Sequence, residues 1–455
     1  MRYLSWSYGS NQMRLGSLQE GYIIDVGSLS GFNTLLDLIK AGPSAWAEVA
    51  ATLKAVDVKA LAEQGRAIPF QDGLVTASLP NPPKNIFCIG RNYYKHYLEG
   101  AVARGASEEK PPEAPIYFTK PHTAIIGPFE TIPLDPEVTK KLDWEAELGL
   151  IIGVGGRKIK AEEAEKHIFG YTVLNDVTAR DLQFRHGQWF KGKGLDYSCP
   201  MGPVVVTPDE LPNPVNVQIS LKVNGVTKQS ANTGQMMFDI PTLIADLSLA
   251  ITLEPGDIIS TGTPEGVGHF SQPPEYLAAG DVMETTIEGI GTLRNVISTP
   301  YRAKIVAEYN AARNALLSML NRLQPAHYEI ATQCPGWSVK DLVAHLTNSA
   351  TTVQALIQRQ LDRVTNPGLA ALNERNARGV ESRKGRTVVG MMSELIEAQQ
   401  KNIDYYLGLT EEQLQVEGET VTGEIITVDE RFRRAAEHYF EHGEMIARAT
   451  GLSMG

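Results

Sequence analysis

The stretch that decides the fold is an acidic segment followed at once by an apolar run: Asp143-Trp144-Glu145-Ala146-Glu147-Leu148-Gly149-Leu150-Ile151-Ile152-Gly153-Val154. Side chains alternate along a strand, so Glu145 and Glu147 point to the same face. Two adjacent carboxylates repel each other unless a cation lies between them. Because hard divalent cations prefer oxygen ligands, the segment indicates either a Mg²⁺, Mn²⁺ or Ca²⁺ site or a solvated strand edge.

A third carboxylate follows further along the chain. Asp176 comes shortly after the strand-like residues 171–174, so it lies near a strand end. The same residue fits the first position of a helix, because aspartate accepts hydrogen bonds from the free backbone N–H groups there. We therefore expect Asp176 either to complete a metal site with Glu145 and Glu147 or to cap a helix.

The composition excludes several classes of protein. A chain of 455 residues predicts two or three domains. Its net charge of −11, without a run of Lys and Arg, argues against a nucleic-acid partner, which needs a basic face. No apolar stretch reaches the roughly 18 residues of a membrane span. Three cysteines and an N-terminus without the apolar core of a signal peptide favour a reducing, cytoplasmic location.

Three regions differ in the secondary structure that their sequences favour, which predicts an α+β, multidomain protein. Residues 1–78 mix strand-like pieces with helical stretches such as 44–62, as in a small α/β domain. Residues 79–299 follow a proline-rich break and contain a series of strand candidates, with Asn224-Gly225 favouring a tight hairpin turn. In residues 300–455, Leu316, Leu320 and Leu323 recur at helical spacing and predict a separate all-α bundle.

Several motifs of the middle region occur in an order that resembles the fumarylacetoacetate hydrolase family. They are Gly90-Arg91-Asn92-Tyr93 with His96 to Glu99, Glu145-Ala146-Glu147, Asp176 with Arg180, Asp181 and Gln183, Lys193 before residues 194–203, and Thr261-Gly262-Thr263-Pro264-Glu265-Gly266-Val267-Gly268. Each motif is weak alone, but together they span roughly 200 residues. The resemblance implies a mixed β-roll fold, a homodimer, and Mg²⁺ or Mn²⁺ held by Glu145, Glu147 and Asp176.

A base is predicted at the pair His96 and Glu99, which share one face if they lie on a helical turn. Glu99 would orient His96, and His96 would take a proton from water. An exposed salt link is the alternative for such a pair. Residues 100–115, rich in glycine, proline and charge, are predicted to form a mobile lid next to it.

Further site residues are expected around the metal. Lys193 is the candidate for stabilising negative charge on the substrate, although the neighbouring glycines do not distinguish it from Lys191. The resemblance singles out Lys193. Substrate-binding roles are expected for a set in which structural roles are equally open: Arg91, Arg180, Gln183 and Thr263.

These expectations predict a metal-dependent hydrolase that cleaves a carbon–carbon bond of a small 2,4-dioxo acid, an acylpyruvate such as fumarylpyruvate. Metal chelation of the 2-oxo acid would orient it and polarise its carbonyl. A shared fold does not determine which reaction an enzyme catalyses, and the family also resembles enzymes that catalyse other reactions of 2-oxo acids. The alternative is a decarboxylase, tautomerase, isomerase or lyase that uses the same enolate chemistry without attack by water.

The last region carries a possible second metal site. Ser338 and Asp341 fit a capping box that begins a helix bearing His345, and His438 and His442 share a helix face at i and i+4. The segments Pro335-Gly336-Trp337-Ser338 and His438-Tyr439-Phe440-Glu441-His442 resemble DinB-like four-helix bundles, which include thiol-dependent maleylpyruvate isomerases. The resemblance implies Zn²⁺ or Ni²⁺ at the three histidines.

Two roles are open for this bundle. An isomerase that uses a low-molecular-weight thiol would convert maleylpyruvate to fumarylpyruvate, which the first part of the chain would then cleave, so the protein would be bifunctional. In the isomerase branch one metal ligand is a glutamate and a further C-terminal domain is usual, and the sequence departs from both patterns. The alternative is a non-catalytic metal-binding or dimerisation module.

Overall fold

A computed structural model describes residues 1–7, 13–64, 66–103, 105, 110–365 and 368–454. These residues form two compact units. The first unit comprises the described residues of 1–6, 13–70 and 75–300, and the second comprises those of 301–455 with the short segments 7–12 and 71–74. The predicted boundaries 1–78, 79–299 and 300–455 stay a prediction.

The first unit is built mainly from strands. Its strands are β1 Arg2–Trp6, β2 Arg14–Gln19, β3 Tyr22–Asp25, β4 Ala67–Pro69, β5 Ile86–Gly90, β6 Ile116–Lys120, β7 Ile125–Ile126, β8 Ile132–Pro133, β9 Leu142–Asp143, β10 Ala146–Ile152, β11 Ile168–Asn175, β12 Thr178–Ala179, β13 Cys199–Val206, β14 Gln218–Val223, β15 Val226–Asn232, β16 Ile258–Ser260, β17 Val282–Ile287 and β18 Gly291–Ser298. Its helices are α1 Gly27–Ser30, α2 Leu35–Ala41, α3 Pro43–Lys54, α4 Val58–Glu63, α5 Tyr94–Ala103, α6 Arg180–Arg185, α7 Phe190–Lys193 and α8 Ile240–Ala250.

Two mixed sheets contain most of these strands, and β9 and β12 form a separate antiparallel pair. Within the described residues, the larger sheet has eleven strands in the order β4-β3-β2-β1-β13-β11-β10-β16-β5-β6, with β7 beside β13. The smaller has five, in the order β15-β14-β17-β18-β8. Strand β10 pairs antiparallel with β11 on one side and with β16 on the other. The acidic segment therefore enters the middle of the large sheet.

The central strands are buried on both faces, which explains their continuous apolar sequences. Every residue of β10, β11 and β13 is buried. Leu150 and Ile151 have no exposed surface, and burying each such side chain contributes about 1.5–3 kcal/mol. The rigid core thus fixes the positions of the residues at the strand ends.

Local sequence signals decide the connections. Asn224 and Gly225 have φ values of +51° and +76°, and Val223 pairs with Val226, which confirms the predicted hairpin. The helical stretch predicted over 44–62 consists of two helices, because α3 ends at Lys54 and α4 begins at Val58. Asp57 accepts the N–H of Ala60 at 3.1 Å, so it starts a new helix instead of continuing the first.

The second unit is a helical bundle, as predicted. Its helices are α9 Pro300–Leu320, α10 Val339–Leu361, α11 Gly368–Glu381, α12 Val388–Leu407, α13 Glu411–Leu414 and α14 Val428–Thr450. The structure adds a small antiparallel pair, β19 Glu417–Glu419 and β20 Ile425–Thr427, to the expected helices. Ser338 and Asp341 form the predicted capping box at the start of α10.

Replacing Ser338 by alanine should destabilise the first turn of α10 by about 1 kcal/mol, because the N–H of Asp341 loses its acceptor. Native-state hydrogen exchange of the first-turn amides measures the effect. Ser453→Ala, at an exposed position, is the matched control and should leave exchange in α10 unchanged. Equal protection in both variants would contradict the capping role.

Candidate active site and metal centres

The three predicted carboxylates meet at adjacent ends of β10 and β11. Glu145 directly precedes β10, Glu147 lies within it, and Asp176 directly follows β11. Pairing of Ala146 with Asn175 brings these ends side by side, and the N–H of Asp176 donates to the carbonyl of Glu145 at 2.9 Å. One ligand oxygen from each carboxylate lies within 4.8 Å of the other two. All three residues are buried, so the alternative of a solvated strand edge is wrong.

Basic side chains surround this carboxylate trio. The Lys193 ammonium lies 2.7 Å from Glu145 Oε2 and 2.7 Å from Asp176 Oδ2. Lys120 approaches Asp176 Oδ1 at 3.0 Å, and Arg180 approaches Glu145 Oε1 at 2.7 Å. The Lys193 ammonium thus bridges two of the three carboxylates. Lys193 is buried whereas Lys191 is exposed, so the structure distinguishes two lysines that the flanking glycines did not.

The pKa values of Glu145 and Glu147 shift in opposite directions. Burial, together with the charges of Asp176 and Glu145, raises the pKa of Glu147 well above its usual range. Burial also opposes ionisation of Glu145, but the charges of Lys193 and Arg180 outweigh it and lower the pKa of Glu145 to about 2. A divalent cation would relieve the repulsion that raises the pKa of Glu147. The donor set, three oxygens and no sulfur or nitrogen, fits Mg²⁺ or Mn²⁺.

The glycine-rich loop after β16 orients Glu147. The Oε2 atom of Glu147 accepts hydrogen bonds from the Ser260 hydroxyl at 2.5 Å and from the Gly262 N–H at 2.9 Å. Gly262 has a φ of +97°, and a Cβ atom there would lie 2.8 Å from the Cβ of Asn92. Only glycine therefore allows the loop backbone to come this close to the carboxylate.

His96 and Glu99, the pair predicted to act as the general base, lie on α5. His96 Nδ1 is 3.3 Å from Glu99 Oε2, and Glu99 Oε1 accepts the N–H of Gly266 at 2.9 Å. His96 is buried, so the pair is not an exposed salt link. Glu99 and Glu147 accept hydrogen bonds from the same glycine-rich loop, at Gly266 and Gly262. Residues 104 and 106–109 of the predicted lid lie outside the described residues.

The predicted substrate-binding residues have different surroundings. Arg180 is buried and bonded to Asp143 Oδ2 at 2.8 Å and to Gln183 Oε1 at 3.1 Å, besides Glu145. The Thr263 hydroxyl accepts a hydrogen bond from the side-chain amide of the buried Gln229. The Arg91 guanidinium lies 5.5 Å from the Trp189 ring centroid, and Arg91 has a φ of +56°. The substrate-binding roles stay predictions.

Sequence reasoning missed three buried residues that support this site. Lys120 donates to the carbonyl of Val177 at 3.1 Å and to the Ser198 hydroxyl at 3.0 Å. Asp143 accepts the N–H groups of Gly268 and His269 at 2.8 and 3.0 Å. The side-chain oxygen of Gln229 accepts a hydrogen bond from the Ala146 N–H at 2.9 Å. Asp143 belongs to the acidic segment and could have been singled out there, but no local signal marks Lys120 or Gln229.

A second cluster lies within the helical bundle. His345 on α10 and His438 and His442 on α14 have ring centroids 4.3–5.2 Å apart. Burial lowers the pKa of His345 to about 4 and that of His438 to about 3, with smaller contributions from neighbouring histidines. The buried Nδ1 atoms of His345 and His442 have no hydrogen-bond partner. Neutral, unpartnered imidazoles are the form that binds Zn²⁺ or Ni²⁺.

Comparisons with known proteins identify both parts of the chain. Residues 85–298 match the family model of the fumarylacetoacetate (FAA) hydrolase C-terminal domain, and residues 309–437 match that of the mycothiol maleylpyruvate isomerase N-terminal domain. Oxaloacetate tautomerase YisK from Bacillus subtilis (strain 168) is 48% identical over 221 residues, which are 49% of this chain and 72% of that protein. The chain belongs to the fumarylacetoacetate hydrolase family, and its C-terminal part is a maleylpyruvate isomerase-like bundle.

Solved structures agree with this assignment. The fumarylacetoacetate hydrolase from psychrophilic Exiguobacterium antarcticum is 38% identical with a TM-score of 0.55, over 66% of this chain and 99% of that one. A maleylpyruvate hydrolase from Sphingobium sp. SYK-6, solved with manganese(II) and pyruvate, is 28% identical with a TM-score of 0.51, over the same shares. These relatives support a metal-dependent activity of the family type on a small organic acid. In the described parts of the chain, no helix has the length and apolar character needed to cross a membrane.

If the folded carboxylate trio binds Mn²⁺, the ion should raise the melting temperature of the first unit. At a concentration about a hundred times the Kd, binding adds about 2.7 kcal/mol of stability. Glu147→Gln removes one ligand and should lose most of this gain in differential scanning fluorimetry. Glu163→Gln, at an exposed position, should keep it. An equal Mn²⁺ response in both variants would place the metal elsewhere.

Proposed function

We propose that the first unit catalyses keto–enol tautomerisation of a small 2-oxo dicarboxylic acid such as oxaloacetate. The observation that carries this proposal is that one glycine-rich loop bonds both Glu99 of the His96–Glu99 pair, through Gly266, and Glu147 of the buried carboxylate trio, through Gly262. The 48% identity to a tautomerase of oxaloacetate supports the choice of substrate. Hydrolysis is the second candidate, because the relatives of lower identity include a hydrolase.

The metal, Mg²⁺ or Mn²⁺, would be held by the three carboxylates. When bound, it supplies Lewis-acid polarisation of the 2-oxo group. The Lys193 ammonium and the Arg180 guanidinium balance the charge of Glu145 in this site. We propose that Lys193 also stabilises the negative charge that develops on the substrate oxygen.

His96 is the group that moves the proton. Glu99 holds the Nδ1 side of the ring, which leaves Nε2 as the atom that exchanges protons. Nε2 takes a proton from carbon 3 of the keto acid, and the C–H electron pair forms the C2–C3 double bond. The π pair of the C2 carbonyl moves onto its oxygen, which then takes the proton back from Nε2. Atoms and charge balance without another reactant. Arg91, Gln183 and Thr263 are proposed to contact the carboxylate and carbonyl groups of the substrate.

Replacing His96 by asparagine should lower kcat for oxaloacetate tautomerisation about 100-fold or more, which is the usual contribution of a general base. The absorbance of the enol form follows the reaction. The Mn²⁺ affinity should stay unchanged, because His96 is not a metal ligand. His122→Asn, at an exposed position, is the control. Turnover at the wild-type rate in the His96 variant would contradict the assignment of His96 as the general base.

Hydrolysis of an acylpyruvate is the second candidate, and the fused bundle favours it. The family that the bundle matches is named for the isomerisation of maleylpyruvate, whose product is a 2,4-dioxo acid. Such an acid is a substrate for carbon–carbon hydrolysis. His96 would then take the proton from the attacking water. A panel of oxaloacetate and acylpyruvates, assayed with Mg²⁺ for enol absorbance and for pyruvate release, separates the two reactions.

For the bundle, we propose a Zn²⁺ or Ni²⁺ site at His345, His438 and His442 and isomerase activity with a low-molecular-weight thiol. In such a reaction the thiol adds to the cis double bond, the resulting single bond rotates, and elimination releases the thiol and the trans product. A non-catalytic module, for metal binding or dimerisation, is the alternative. The homodimer also stays a prediction.

Replacing all three histidines by alanine should abolish zinc binding by the bundle and, if the isomerase proposal holds, conversion of maleylpyruvate in the presence of thiol. Elemental analysis gives the metal content, and absorbance follows the substrate. Loss of zinc with unchanged turnover of the cis substrate would reject bifunctionality and leave the bundle a binding module. The fluorimetric response of the first unit to Mn²⁺ is the internal control.

A further inference from the structure

A buried amide connects the strand that carries the glutamates with the glycine-rich loop. Gln229 lies on β15, and only 1% of its surface is exposed. Its Oε1 atom accepts the N–H of Ala146 at 2.9 Å. Its Nε2 atom donates to the Thr263 hydroxyl and to the Pro264 carbonyl, each at 2.9 Å. Both ends of the amide are therefore used.

The bond to Ala146 holds the peptide between two of the proposed metal ligands. Ala146 stands between Glu145 and Glu147, so a shift of its backbone moves both carboxylates together. Without Gln229 the Ala146 N–H would be buried and without a partner, which is costly enough to make the segment rearrange. Hard cations such as Mg²⁺ tolerate little deviation from their preferred ligand geometry.

The other end of the amide fixes the loop that completes the site. Thr263 and Pro264 directly follow Gly262, whose N–H donates to Glu147. Gln229 thus connects the loop and the strand to each other through hydrogen bonds at both ends of its amide. Long side chains with this bonding pattern hold functional groups in place without touching the reacting atoms.

We infer that Gln229 is a positioning residue for the metal site, acting through Ala146 and Thr263. The inference rests on the carboxylate metal site of the proposed function, but not on which reaction the site catalyses. Because the glutamine side chain is neutral, its removal leaves the charge of the site unchanged. A change in metal affinity then reports a change in ligand geometry, which would not hold for the charged Lys120 or Arg180.

The test uses Gln229→Met in the full chain, a substitution of similar length that loses all three hydrogen bonds. Mn²⁺ affinity is measured by the electron paramagnetic resonance signal of the free ion, and folding by circular dichroism. We expect affinity about tenfold weaker in the folded variant. Gln218→Met, at an exposed position on the neighbouring strand β14, is the matched control and should bind Mn²⁺ like the wild type.

Each outcome decides the inference. Wild-type Mn²⁺ affinity in Gln229→Met overturns it, even if the melting temperature falls, because the role is then only structural. If that variant does not fold, Gln229→Asn keeps an amide in the site but is too short to reach Ala146 and Thr263 together, and the same loss of affinity is expected. Absence of Mn²⁺ binding in the wild type overturns the metal site itself, whereas binding without tautomerase activity overturns only the proposed reaction.

Discussion

The mutual repulsion of three buried carboxylates is the constraint on which this unit depends. Glu145, Glu147 and Asp176 are held close together in a low-dielectric interior, where like charges interact strongly. The chain offsets this repulsion in part with the ammonium groups of Lys193 and Lys120. Burial, and after it the charges of Asp176 and Glu145, raise the pKa of Glu147, and a divalent cation at the site would lower it again.

The sheet makes this unfavourable arrangement possible. Register between β10 and β11 brings Ala146 opposite Asn175, so the carboxylates before, within and after these strands must converge. The strands themselves are fully buried, and their apolar packing stabilises the fold against the electrostatic cost at their ends. A single-residue slip in register would turn Glu147 away from the site, because side chains alternate.

Patterns that act over a few residues were readable in the sequence. Alternation placed Glu145 with Glu147, the Asn224-Gly225 turn gave its hairpin, and the Ser338 cap started its helix. Supporting residues were not readable, because their partners are distant in the chain. Gln229 bonds a residue 83 positions away, and Lys120 bonds the Val177 carbonyl 57 positions away. Such pairings follow only from the fold, so a single sequence gives no signal for them.

Ligand chemistry divides the two candidate metal centres of this chain. The first offers only carboxylate oxygens, which suit Mg²⁺ and Mn²⁺, and the second offers only imidazoles, which suit Zn²⁺ and Ni²⁺. Burial lowers the pKa values of His345 and His438, so a metal bound there would not have to displace a proton at neutral pH. Near the oxygen site, Lys193 occupies part of the space between the carboxylates and must share it with any ion. The two donor sets therefore suit different classes of metal ion, because ligand type favours a hard cation at the carboxylates and a softer one at the imidazoles.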